Sequence, residues 1–289
     1  MSKLDAFTDK LSILDGGWGT QFYKLGMEPG TCCERWNLEA PDKVVKVARD
    51  YVEAGSDIIL TNSFQGNSIA LARHGLDDKV IEINCTAVKL SRRAAEGRAK
   101  VFASIGPSSK MLMMGEISED DLLRAFGEQA RGLAAGKPDG IVLETFGDID
   151  EWKLAARAVR DHCDLPLVGC LTFDSGPDNL RTMMGTPVQA AISAAEELGL
   201  DGVGANCGVG IDAYQEIARL FCEGTKLPVW IKPNAGRPEQ QGSQVIYRQT
   251  AAEFGQCAKS LVELGISSIG GCCGTTPDHI RELKKALKR

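Results

Sequence analysis

The sequence predicts an α/β chain folded as a (β/α)8 TIM barrel, on three observations. Short apolar runs rich in β-branched residues recur eight times along the 289 residues and end near Gly, Asn, Thr or Ser. Longer stretches of helical periodicity with recognisable starts and stops separate them. The alternation persists from one end to the other without a composition break or linker, so one barrel over residues 1–289 is expected. An open doubly wound sheet is the alternative arrangement of the same elements.

The runs, in order, are SILDGG (12–17), SDIILTNSF (56–64), KVFASIGP (100–107) and DGIVLETF (139–146). LPLVGCLTF (165–173), DGVGANC (201–207), LPVWIKPN (227–234) and ISSIGGCCG (266–274) complete the set. Between the first two, PDKVVKVARDYVEAG opens on a proline and stops at Gly55, as helices tend to. SEDDLLRAFGEQARGLAAG starts with Ser118 three residues before Asp121, a variant of the capping box, and is expected to close on Gly136. TPVQAAISAAEELG, TAAEFGQCAKSLVELG and TPDHIRELKKALKR repeat the pattern, and the basic end of the last suits a helix dipole. Residues 26–40, GMEPGTCCERWNLEA, form the longest irregular stretch; it either closes over one side of the barrel mouth or packs as plain surface.

With 43% hydrophobic and 25% charged residues the chain can bury a full core. A net charge of −6 argues against nucleic acid or an anionic membrane surface as partner, and favours a small neutral or zwitterionic substrate. No apolar run approaches the ~20 residues of a membrane span, and the N-terminal MSKLDAFTDK carries acidic residues where a signal peptide would be apolar. A cytoplasmic protein is therefore expected, whose ten cysteines stay thiols or bind metal.

In a barrel the chemistry sits at the C-terminal strand ends, which here carry Asp15, Asn62, Ser63, Glu144, Thr145, Cys207, Asn234, Cys272 and Cys273. Cys207 closes the sixth run and Cys272 with Cys273 the eighth, so residues 65 apart in sequence would meet on one rim. Three thiolates and one exchangeable position would make an open tetrahedral zinc site. Gly270, Gly271 and Gly274 permit the turns that let adjacent side chains reach one ion. Buried cysteines used for packing are the competing reading; spacing alone leaves both open, and the shared strand-end location favours zinc. The other adjacent pair, Cys32 and Cys33, lacks flanking glycines and a third cysteine at a matching strand end, and is read as packing. The three histidines, His74, His162 and His279, fall in helices or loops away from the strand ends.

LDGGWGT (14–20), AGSDIILTNSF (54–64), LETF (143–146), GANCG (204–208), KPNAG (232–236) and GGCCGTTPDHI (270–280) together resemble the homocysteine S-methyltransferase family. Within it they are similar to the homocysteine-binding module of cobalamin-dependent methionine synthase. The resemblance implies a zinc-dependent barrel that transfers a methyl group to the thiol of L-homocysteine, giving methionine. It implies Cys207, Cys272 and Cys273 as zinc ligands and Asn234 as a labile fourth ligand that the substrate sulfur displaces. Asp15 and Glu144 would hold the substrate ammonium, and backbone amides around Gly16, Gly17 and Thr20 its carboxylate. Thr145 stands where betaine-using relatives carry tyrosine.

The expected donor is a methylated corrinoid. The chain has no histidine in the spacing that binds cobalamin, so methylcobalamin would arrive on a separate corrinoid protein. S-methylmethionine, S-adenosylmethionine or a betaine are the alternatives, with homocysteine or another thiol as acceptor. Lys232, at the end of the seventh run, raises a Schiff-base aldolase as a further reading. A zinc-binding barrel without turnover is the non-enzymatic one.

Overall fold

A computed structural model describes residues 10–28, 30–242 and 244–289, so the acidic N-terminal stretch lies outside the described residues. The barrel strands are β1 (Ser12–Ile13), β2 (Ile58–Ile59), β3 (Lys100–Ile105), β4 (Gly140–Phe146), β5 (Leu167–Leu171), β6 (Gly202–Gly210) and β7 (Val229–Asn234). An antiparallel hairpin follows, β8 (Glu239–Gln241) with β9 (Gln244–Ile246), and then the eighth barrel strand, β10 (Ser268–Ile269). Each of the eight predicted runs coincides with one of these parallel strands, and β6 continues beyond its run to Gly210.

The strands pair in the order β1-β10-β7-β6-β5-β4-β3-β2. A single parallel bridge, Leu14 to Ile58, brings the two edges together into a nearly closed (β/α)8-like barrel. Two carboxylates reinforce this seam. The Asp57 side chain accepts from the Ile13 amide at 2.8 Å, and Asp15 accepts from the Leu60 amide at 2.7 Å.

Inside the barrel Leu14, Ile58, Leu60, Phe102, Val142, Val168, Cys170 and Trp230 form a packed cluster. The period of two along a strand places the residues two positions further on the same inner face, one layer nearer the C-terminal mouth. Thus Ser104 follows Phe102, Glu144 follows Val142 and Lys232 follows Trp230. Gly204 on β6 is small because a Cβ there would meet the Trp230 carbonyl oxygen at 1.8 Å. Asn206 continues its face upward.

The helices start and stop largely as the sequence predicts. Pro41–Ala54 ends on Gly55 at φ 99°, and Ala251–Glu263 opens with a Thr250/Glu253 capping box. Ser118 caps Glu119–Ala135 through the Asp121 amide. Gly136 differs from expectation: its backbone is right-handed at φ −78°, and Lys137 takes the left-handed conformation. Close packing explains the glycine, since a Cβ at 136 would lie 2.5 Å from the Val88 Cβ on the neighbouring helix Val80–Ala95. No helix among the described residues is long and apolar enough to cross a membrane.

Candidate functional site

The Cys207, Cys272 and Cys273 sulfurs converge at the mouth, all within 4.8 Å of one another, and are the only such His/Cys/Asp/Glu group among the described residues. Strand alternation alone would not achieve this. Asn206 faces the barrel interior, so its neighbour Cys207 should face outward. The β6–β7 register shifts between Asn206 and Gly210, and Cys207 and Gly208 adopt left-handed backbone at φ 63° and 68°. That bulge swings Cys207 inward. Tyr214 holds it there, donating its hydroxyl to the Cys207 carbonyl at 2.8 Å.

The Gly270–Gly274 turn is fastened to β7. The Cys272 amide donates to the Pro233 carbonyl at 2.7 Å, and the Ala235 amide to the Cys273 carbonyl at 3.0 Å. Asn234, 1% exposed, bridges the two cysteine loops: its amide nitrogen donates to the Gly208 carbonyl, and its oxygen accepts from the Cys273 amide, both at 3.1 Å. In this structure Asn234 is a strut between the loops.

The sulfur set suits a tetrahedral thiophilic cation. Zinc–sulfur bonds of ~2.3 Å at the tetrahedral angle require sulfurs about 3.8 Å apart, and the Cys207 and Cys273 sulfurs stand 3.8 Å apart. Cys207 is pushed well up by hydrogen bonding to the other two sulfurs and by burial. The bond from Cys207 pulls Cys272 down, but its bond to Cys273 and burial outweigh this and leave it at about 12. Cys273, accepting from both, is pushed well down. Ionising all three sulfurs together in this space would need a compensating cation.

The acidic residues occupy two different environments. Asp15 is fully buried and accepts from Lys232 Nζ at 2.5 Å, Trp18 Nε1 at 2.7 Å and the Leu60 amide at 2.7 Å. It is an internal counter-ion in this structure. Lys232 is 2% exposed; burial opposes its charge, and Asp15 and Glu144 restore it, leaving it raised. Glu144 is 8% exposed, and one oxygen accepts from the Ser104 hydroxyl at 2.5 Å. Burial pushes its carboxyl up to about 7, against the pull of Lys232.

In the Gly16–Thr20 turn the Gly17 amide donates to Thr275 Oγ1 at 3.0 Å, and Tyr51 donates to the Gly17 carbonyl at 2.8 Å. A Cβ on Gly16 would meet Thr275 Oγ1 and Tyr51, and one on Gly17 the Cys272 carbonyl oxygen at 2.7 Å. This turn therefore lies directly against the cysteine loop. The Thr20 hydroxyl is buried with no protein partner, an orphaned polar atom where a ligand group fits.

Asn206, Thr275 and Ser104 join the site in addition to the residues that the sequence predicts. Thr275 Oγ1 also donates to the Cys272 carbonyl at 2.6 Å, joining the two loops. Asn206 lies within the motif GANCG and Thr275 within GGCCGTTPDHI, and membership of these motifs is the signal for both. The stretch expected to be irregular is helical over Cys33–Arg35 and Trp36–Glu39, and it lies at the mouth: Asn62 donates to the Cys33 carbonyl at 2.7 Å, and Glu34 accepts from the Gln65 amide at 2.7 Å. Cys32 is buried against Glu34, Cys33 lies 3.6 Å from the Met27 sulfur, and neither joins the three-cysteine group.

The family model described as homocysteine S-methyltransferase matches residues 12–287. The methionine synthases of Mycobacterium leprae (strain TN) and Mycobacterium tuberculosis (strain ATCC 25618 / H37Rv) are 30% and 31% identical over 99% and 98% of this chain. The chain spans 25% of the length of each. The crystal structure of the metallated homocysteine methyltransferase MmuM from Escherichia coli superposes with a TM-score of 0.82 at 22% identity, covering 98% of this chain and 99% of that one. Matched along nearly its whole described length, the chain belongs to the homocysteine S-methyltransferase family.

Proposed function

We propose that this barrel is a zinc-dependent methyltransferase that acts on a thiol acceptor, L-homocysteine, and gives methionine. The observation that carries the reading is the convergence of three cysteine sulfurs at the barrel mouth with a spacing that fits tetrahedral zinc. Cys207, Cys272 and Cys273 would hold the ion, with the Asn234 carbonyl oxygen as a weak fourth donor through its remaining lone pair. A zinc ion held there favours the thiolate form of an incoming thiol near neutral pH, where a free thiol of pKa ~8.5 is mostly protonated.

Glu144 would receive the substrate ammonium, with Asp15 and Lys232 as the fixed charge pair behind it. The Thr20 hydroxyl and the adjoining Gly16–Gly17 turn would receive the carboxylate. Held at both ends, the substrate thiolate attacks an activated methyl carbon as the bond from that carbon to its leaving group breaks. The buried Lys232–Asp15 pair disfavours a Schiff-base role, because Lys232 stays charged.

A small donor such as S-methylmethionine, S-adenosylmethionine or a betaine needs only access to the mouth, and we propose that donor class for this chain. The corrinoid-bearing partner expected from the sequence becomes the competing arm of the test. Homocysteine would be assayed with each small donor and with methylcobalamin, free and on a corrinoid protein. Turnover with one donor, abolished together with zinc binding in Cys272→Ser and Cys207→Ala, is expected. Either variant keeping zinc and full activity would remove the site. A zinc-loaded barrel idle with every donor would support a binding role without turnover.

A further inference from the structure

Two strand ends at the mouth carry non-glycine residues in the left-handed region, Thr145 at φ 65° and Cys207 at φ 63°. That conformation is unfavourable for a β-branched threonine, so the surrounding structure must hold it. Both lie where the strand register shifts, on β4 between Leu143 and Phe146 and on β6 between Asn206 and Gly210. One irregularity sits beside Glu144, and the other presents Cys207.

A single side chain joins them. Asn206 is fully buried; its oxygen accepts from the Thr145 amide at 2.7 Å, and its amide nitrogen donates to the Thr145 hydroxyl at 2.6 Å. The same nitrogen donates towards Cys272 Sγ at 3.8 Å. The Thr145 N–H fixes which end of the amide is oxygen, so the two amide hydrogens point to the hydroxyl and the sulfur. Three elements of the site are thus tied by one amide: the β4 end beside Glu144, the β6 end carrying Cys207, and the Cys272 loop.

We propose that Asn206, seated on Thr145, is a positioning residue that sets the metal affinity and the electron density of the cysteine site. This inference rests on the metal-site reading above. A hydrogen bond donated to a thiolate favours its charged form and withdraws charge from the sulfur, and outer contacts of this kind orient a ligand. Thr145 has a specific part: its small hydroxyl accepts the bond that leaves the second amide hydrogen for Cys272.

The test uses the full chain with four substitutions and two readouts that need no methyl transfer. Asn206→Ala removes the whole tie. Asn206→Asp keeps an acceptor for the Thr145 amide but loses the donor to sulfur. Thr145→Val removes only the hydroxyl, and Thr145→Ser restores it. Zinc affinity by chelator competition is expected to fall about ten- to hundredfold in both Asn206 variants. It should fall less in Thr145→Val and return to the parent value in Thr145→Ser. In the cobalt-substituted protein the thiolate-to-metal charge-transfer band should shift in Asn206→Asp and stay put in Thr145→Ser.

Folded Asn206→Asp protein with parental zinc affinity and an unchanged cobalt band overturns the proposal, whatever its melting temperature. If Asn206→Ala does not fold, Asn206→Asp and the Thr145 pair decide the question alone. Absence of turnover in the parent with all donors would overturn the proposed function, and the metal readouts would still judge Asn206.

Discussion

Glu144 and Asp15 are both buried carboxylates at the same mouth, yet they are suited to opposite tasks. Asp15 is held by a lysine, an indole and a backbone amide, whereas Glu144 has the Ser104 hydroxyl and a carboxyl that burial raises to about 7. A cationic ligand group binds the ionised carboxylate, so ammonium affinity should be complete above that pH and decline as protonation sets in below it. The KM for homocysteine should therefore rise as pH falls through about 7. Glu144→Gln should raise KM at every pH and flatten the profile. A wild-type KM that is constant across this interval would remove Glu144 from the substrate pocket.

At the scale of elements, the Gly16–Gly17 turn and the Gly270–Gly274 turn act as one unit through Thr275. Gly17→Ala would place a methyl group 2.7 Å from the Cys272 carbonyl oxygen. It should cost about 1–3 kcal/mol of stability by overpacking and loosen zinc, measured by thermal melting and chelator competition. Unchanged metal affinity in that variant would show that the two turns move independently. Much of this was legible beforehand: apolar runs and cap signals located the eight strands, and strand-end position gathered Cys207 with Cys272 and Cys273. The ties made by Asn206 and Thr275 were not. The first depends on left-handed residues and register shifts on β4 and β6, the second on contact between two turns far apart in sequence, and neither leaves a period in the sequence. Gly136 shows the same limit, since its reason is a neighbouring helix rather than its own turn.

Across the whole molecule, the nearly closed barrel has its weakest join between β1 and β2, where one backbone bridge is supplemented by Asp57 and Asp15. Lys232 on β7 neutralises Asp15, so the charge pair behind the proposed substrate pocket also holds the seam. Lys232→Met strands a buried carboxylate and should destabilise the protein by about 3–5 kcal/mol in chemical denaturation. Adding Asp15→Asn should recover part of that loss. A Lys232→Met protein as stable as the parent would show that the pair does not hold the seam.

The central claim, that three cysteines hold a zinc whose open position takes the substrate sulfur, is tested most directly by zinc K-edge X-ray absorption with and without homocysteine. The account predicts three sulfurs at about 2.3 Å plus one lighter donor in the free protein, changing to four sulfurs when homocysteine is added. A sulfur count that stays at three with saturating homocysteine, or a zinc shell lacking these thiolates, would contradict it.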